Sequence, residues 1–281
     1  TEIIGNITKK AASETGLPKG IPVTTGTIDA AAEAVSVGLA TEGDTMCMYG
    51  STIFMISLTA KQSSDPRLWY APWLYEGEHA SMAGLSTSGT LTHWFRDQFG
   101  KDLDVKSGFS ELTKEANKSK PGANGIVFLP YFSGERTPIH DPNAKGTIFG
   151  LRLDHKRGDI YRSLLEGISH GTRHVVETFA DAGTQTKALY AVGGGTKNDL
   201  WLQSTSDIIG VDQIIRKNTI GASYGNAFLA ACSTGITERK MINSWNPIKN
   251  KIIAKNYEVH NHNYEIFKSL YESTKHLMKQ I

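Results

Sequence analysis

Cysteine is scarce in this 281-residue sequence: Cys47 and Cys232 are the only two, and no CxxC pair occurs. That excludes a disulfide framework and points to a reducing compartment, the cytoplasm. No apolar run is long enough to span a bilayer and no signal peptide is present, so no membrane partner is expected. Net charge is also small, with 30 basic against 28 acidic side chains giving +2. No field of one sign is available to hold nucleic acid. The modest cluster of Arg239, Lys240, Lys249 and Lys251 reads as a solvated surface.

Several catalytic signatures are missing as well. There is no GxSxG elbow for a serine hydrolase and no HExxH for a zinc protease. His170 and His174 stand at ligand spacing on a helical pattern, but no third ligand follows at a motif distance, so no metal site is expected. The chain does not open on methionine, which reads as a fragment or a trimmed piece. Its oligomeric state is left open, with a homodimer as one candidate.

What is present is an ordinary globular composition, 39% hydrophobic and 21% charged, enough for a sizeable core. Ile3, Ile4, Ile7 and Ala11 fall at helical spacing and predict a helix, stopped by Gly-Leu-Pro-Lys-Gly at 16–20. Ile21–Thr25 predicts a short strand running through Gly26-Thr27-Ile28-Asp29 into an alanine-rich helix. Residues 45–59 predict a hairpin turning at Gly50-Ser51-Thr52. Residues 60–85 read as looser and aromatic-rich. Gly89–Phe99 predicts an amphipathic helix, and 101–124 a polar helix with flexible ends. A strand at 125–130 leads into an ordered loop, Tyr131–Lys145. Asp159–Ala182 is the longest helical pattern. Leu189–Val192 predicts a strand, Asn198–Ile209 a helix, Gln213–Ile215 a strand and Tyr224–Gly235 a helix; residues 239–281 end in a helix. The alternation implies an α/β sheet flanked by helices.

Two local features have chemical promise. Asp29 sits where a strand passes through a glycine turn into a helix. It reads either as a helix cap or as a carboxylate held charged near a helix N-terminus. Gly193-Gly194-Gly195-Thr196-Lys197-Asn198 joins a strand to a helix. Absent side chains let a ligand approach the backbone, and the helix N-terminus offers N–H groups; a plain tight turn is the alternative. It is not GxGxxG, because position 198 is asparagine, nor a Walker A loop, because GK[ST] is missing. Glu135 and Arg136, adjacent in Leu129–Pro138, are expected to bond to other elements rather than to each other.

Taken together, the segments resemble the C-terminal half of the FGGY carbohydrate kinases. The most specific match is Gly146-Thr147-Ile148-Phe149-Gly150-Leu151 followed by Asp159–Glu166. Leu129–Pro138 is similar to the family's lead-in loop, Val192–Asp207 to its adenosine motif and Gly221–Ala227 to the helix after it. The match covers roughly 20–235, in matching order.

The resemblance implies an α/β, actin-like ATPase domain with a ribonuclease H-like sheet, the C-terminal lobe of a two-domain sugar kinase. Residues 1–20 would be the tail of the N-terminal kinase domain and 21–281 the nucleotide-binding domain. ATP and Mg2+ are the implied cofactors. The implied partners are a sugar substrate and the absent N-terminal domain, without which the half is expected to be inactive. Asp29 matches the catalytic base. Gly50, Ser51 and Thr52 match the second phosphate loop. Gly89 and His93 match nucleotide-contacting positions, with histidine standing where glutamine is found in glycerol kinases. Gly194, Gly195 and Asn198 match the adenosine site. Ala30 replaces the Gln or Asn that often bonds the sugar, and the run from Gly26 looks closer to xylulokinase-like members. A non-catalytic actin-like binding module is the alternative.

Overall fold

The computed structural model describes residues 2–219 and 221–281; Thr1, at the start of the 1–20 segment, and Ile220 lie outside it. The chain opens on Ile3–Asn6 (β1), which pairs antiparallel with Pro22–Thr24 (β2). Between them runs a short helix, Lys9–Thr15 (α1). The helix expected from Ile3 onward is therefore wrong at its start. The β-branched Ile3 and Ile4 favour extended backbone. The helix begins only where the Thr8 hydroxyl accepts the Ala11 N–H at 3.1 Å. It ends at Gly16, as the glycine-proline segment predicts.

Asp29–Ser36 (α2) then leads to the hairpin Asp44–Tyr49 (β3) and Ile53–Thr59 (β4). Two further strands, Trp69–Pro72 (β5) and His79–Leu85 (β6), occupy the stretch read as loose. Next come Gly89–Phe99 (α3), Gly108–Ala116 (α4), and the small pair Val127–Leu129 (β7) and Thr147–Phe149 (β8). The long helix Arg157–Asp181 (α5) is followed by Ala188–Val192 (β9), Asp199–Ile209 (α6), Gln213–Arg216 (β10) and Ala222–Ser233 (α7). Ile242–Trp245 (α8), Ile248–Ile252 (β11) and Glu258–Met278 (α9) complete the fold.

Seven strands form one sheet in the order β11-β10-β9-β3-β4-β6-β5. β3, β9 and β10 run parallel; β4, β6, β5 and β11 are antiparallel to their neighbours. Side-chain alternation with period two splits the core into two layers. Cys47, Tyr49, Met55, Leu189 and Ala191 face α3, α4, α5 and α6. Met46, Ile56, Tyr190 and Val192 face α2 and α7. α2 and α7 pack so closely that a Cβ at Gly225 would collide with the Ala32 carbonyl. A third cluster holds α9 against β7 through Tyr264, Phe267 and Tyr271.

The polar residues near the start of α5 are architectural. Asp159 Oδ2 accepts the Lys156 N–H at 2.8 Å and caps the helix, while Oδ1 accepts Asn124 Nδ2 at 2.6 Å. Buried Arg162 donates to Glu166 Oε1 at 2.7 Å and to the Ser119 carbonyl at 2.9 Å. Glu166 in turn accepts the Gly122 N–H at 3.2 Å. α5 thereby fixes the chain leaving α4. Breaking such a buried pair costs about 3–5 kcal/mol, because one charge is left uncompensated.

Candidate active site

The β3–β4 turn is held from outside by the start of α3. Gly89 N and Ser88 Oγ both donate to the Gly50 carbonyl at 3.0 Å. Ser88 N and Thr90 N donate to the Ser51 carbonyl at 3.0 and 3.2 Å. The approach requires glycine: a Cβ at Gly89 would strike the Gly50 carbonyl. Its Gly50 and Ser51 carbonyls are thus engaged, and the Gly50 N–H is turned back onto the Thr52 carbonyl. Among the described residues the Ser51 hydroxyl has no hydrogen-bond partner. A small hydroxyl on a glycine turn suits phosphate oxygens.

The three glycines after β9 have different tasks. Gly193, at φ +92°, lies against the Tyr49 backbone. A Cβ at Gly195 would come within 2.6 Å of the Trp201 ring and 2.8 Å of Tyr49 Cβ. Gly194 meets no atom within 4 Å and faces open space. Gly194 is thus the glycine a ligand can approach. Asn198 caps α6, its Oδ1 accepting the Trp201 N–H at 3.1 Å. Tyr49 and Trp201 meet edge to face at 5.1 Å and support the wall.

These two turns border a cleft of about 660 Å³. Gly50, Ser51, Gly89, His93, Gly194, Gly195 and Asn198 all line it. The sequence did not mark its third wall, the α4 side chains Phe109, Ser110 and Thr113 with Asn117 at the helix's C-terminal cap. Their spacing along one helix face was the available signal. Tyr161, at the start of α5, and Lys197 also reach the cleft. His93 packs edge-on against Phe109 at 4.9 Å, so its ring shapes the wall. Thr52 is not part of the lining; its carbonyl accepts the Gly50 N–H at 3.1 Å and closes the turn.

Asp29 is outside that lining. It is the first residue of α2, one place after the cap position held by Ile28, and it is exposed. Its Oδ1 accepts the Ala30 N–H at 2.8 Å, which leaves the other oxygen open. One turn along, burial first and then the Asp29 charge push the Glu33 carboxyl above its usual range.

The lead-in loop bonds outward as expected, but Glu135 and Arg136 also bond to each other, the Arg136 N–H donating to Glu135 Oε1 at 2.7 Å. Glu135 Oε1 accepts the Ser86 N–H at 2.6 Å, and Arg136 Nη2 donates to the Leu85 carbonyl at 2.7 Å. His170 lies in an aromatic cluster with Tyr264 at 5.8 Å and His260 at 6.3 Å. Burial pushes its pKa down to about 3, so it is neutral there.

Residues 45–234 match the model of the C-terminal domain of the FGGY family of carbohydrate kinases. A xylulose kinase of Staphylococcus epidermidis is 27% identical over 98% of this chain and 56% of its own length. A ribulokinase of Mycolicibacterium smegmatis is 31% identical over 83% of this chain and 43% of its own length. The crystal structure of xylulose kinase from Rhodospirillum rubrum superposes with a TM-score of 0.92 at 30% identity, covering 99% of this chain and 57% of that one. The chain therefore spans about half the length of the relatives it matches. The sheet and its flanking helices form the C-terminal lobe of the actin-like ATPase fold, and the chain belongs to the FGGY family of carbohydrate kinases.

Proposed function

We propose that this chain is the nucleotide-binding half of an ATP-dependent sugar kinase, acting on a pentulose of the xylulose type. The observation that carries the reading is the meeting of seven motif residues, from three separate segments, around one cleft. Adenosine enters beside Gly194 and Asn198, and the phosphates extend to the Gly50–Ser51 turn. The sugar hydroxyl oxygen attacks the γ-phosphorus, the bond to the ADP oxygen breaks, and the hydroxyl proton passes to Asp29. The open oxygen of Asp29 suits that task. Intact Asp29 and Ser51 favour this reading over a non-catalytic binding module.

Among the described residues no group of three or more His, Cys, Asp or Glu could hold a metal ion. A Mg2+ ion in this reading travels with the phosphates and offsets their charge. Residues 1–20 are assigned to the preceding kinase domain, whose pairing with this lobe continues through β2. In support, β1 and α1 bury no side chain, and Ile4 is 63% exposed. That domain supplies the sugar pocket, so the half alone turns over no sugar. No helix among the described residues is long and apolar enough to cross a membrane. A cytoplasmic location accords with both cysteines being unpaired.

The test uses the full-length protein with ATP and a panel of pentuloses, hexuloses and polyols. Sugar-dependent ADP release is expected, strongest with a pentulose, and lost in Asp29→Asn. No release with any sugar, or an unchanged rate in the variant, would overturn the kinase reading.

A further inference from the structure

Three consecutive loop residues hold three consecutive residues at the end of β6. The Glu135 carboxylate accepts the Ser86 N–H at 2.6 Å, the Arg136 guanidinium donates to the Leu85 carbonyl at 2.7 Å, and Thr137 N donates to the Gly84 carbonyl at 3.3 Å. Just beyond Ser86, Ser88, Gly89 and Thr90 supply the hydrogen bonds that hold the Gly50 and Ser51 carbonyls. The clasp and the phosphate turn are therefore consecutive links of one chain of contacts.

Glu135 is the unusual member. It is 4% exposed, yet among the described residues its carboxylate has no ion pair. Oε1 takes both the Ser86 and Arg136 N–H groups, the latter at 2.7 Å, while Oε2 has no partner among the described residues. The neighbouring guanidinium turns away toward Leu85 and lies over the Trp69 ring at 5.7 Å. Burial pushes the Glu135 carboxyl up to about 7, against the two N–H groups and Arg136. A buried, unpaired carboxylate is costly for a fold that needs only an acceptor. What the geometry does require is one acceptor oxygen at the reach where the Ser86 and Arg136 N–H groups converge. The loop carrying it is itself anchored, because Glu135 N donates to the Asp141 carbonyl at 2.9 Å.

We infer that Glu135 is a positioning residue for phosphoryl transfer: by fixing Ser86 it sets the start of α3 and, through it, the Gly50–Ser51 turn. The inference rests on reading that turn as the phosphate site. It assigns the lead-in loop to the geometry of the γ-phosphate, leaving adenosine binding to the separate Gly194–Asn198 wall.

The experiment compares Glu135→Ala, Glu135→Gln and Glu135→Asp in the full-length kinase, with Asp29→Asn as reference. Glu135→Ala is expected to lower kcat at least about tenfold and to change KM for ATP less than about threefold. Glu135→Gln keeps a carbonyl oxygen for the two N–H groups and is expected within about threefold of the parent kcat. Glu135→Asp retracts the acceptor and is expected to behave like the alanine variant, which covers the case of an alanine variant that does not fold. Amide hydrogen exchange at Gly89 and Thr90 should quicken in the impaired variants while Trp201 stays protected. An unchanged kcat in Glu135→Asp, a glutamine variant as impaired as the aspartate one, or equal loosening at Trp201 would overturn the positioning role. If Asp29→Asn also keeps full kcat, the phosphoryl-transfer reading itself falls; if it alone loses activity, only the role of Glu135 does.

Discussion

The cleft proposed for the nucleotide and the N-terminus of α2 differ in completeness. The cleft is walled on three sides by α3 with its turn, the glycine turn before α6, and α4. The hydrogen bonds that hold its two turns run between elements of this chain. Asp29 is exposed at the first position of α2, with one carboxylate oxygen occupied by its neighbour's N–H. A preorganised wall supports binding, whereas an exposed carboxylate is free to meet an opposing surface. The two regions should therefore respond separately to substitution.

The largest separation is expected from Asp29→Asn. In the full-length kinase it should lower kcat by roughly a thousandfold or more, since general base and positioning contributions are lost together. ADP affinity, measured by calorimetry on the same variant, should stay within about twofold. A matching loss of ADP affinity would join the two regions and break the comparison.

Within the cleft, Gly195→Ala and Gly194→Val should part stability from binding. The Cβ added at Gly195 meets Trp201 and Tyr49, so overpacking costs about 1–3 kcal/mol and lowers the melting temperature by several degrees. At Gly194 the new side chain enters open space, at φ that any residue can adopt. Thermal melting should barely move, while Kd for ADP rises about tenfold or more by steric exclusion. Equal melting shifts in both variants would mean that Gly194 is also a packing glycine.

How much of this was legible follows from the physics of each segment. The β3–β4 hairpin, the glycine turn and α5 show in the sequence because their apolar spacing and glycines act locally. β6 does not, because Ala80, Ser81, Ala83 and Gly84 give His79–Leu85 little β-branched or aromatic character. It needs a small residue where Gly84 lies against the Ile53 carbonyl, a contact set by the sheet. β11 hides for the opposite reason. It is a short edge strand with a polar centre, Lys249-Asn250-Lys251, and the two lysines, read as part of a basic surface cluster, lie on that edge, where lysine deters pairing with other chains. Asp29 could be weighed only between cap and base. The structure puts it one place after the cap and leaves an oxygen open, a distinction of one residue that propensity does not resolve. The clasp from Glu135 to Ser86 spans 49 residues and had no local signal.

The smallest expected effect probes the exposed end itself. Glu33 follows Asp29 by one helical turn, and its carboxyl is raised first by burial and then by the Asp29 charge. Its folded-state pKa thus lies above the unfolded value, so its charged form weakens the fold. That contribution is absent below the unfolded pKa and grows as pH rises through the window up to the raised folded value. Asp29→Asn removes the second cause and leaves the first. The Glu33 carboxyl, followed by carbon-detected NMR titration, should move partway back toward the usual range, and the variant's stability should fall less steeply with pH across that window. An unmoved Glu33 would mean that solvent screens the Asp29 charge even one turn away, and that the open end of α2 is electrostatically as well as sterically independent of its surroundings.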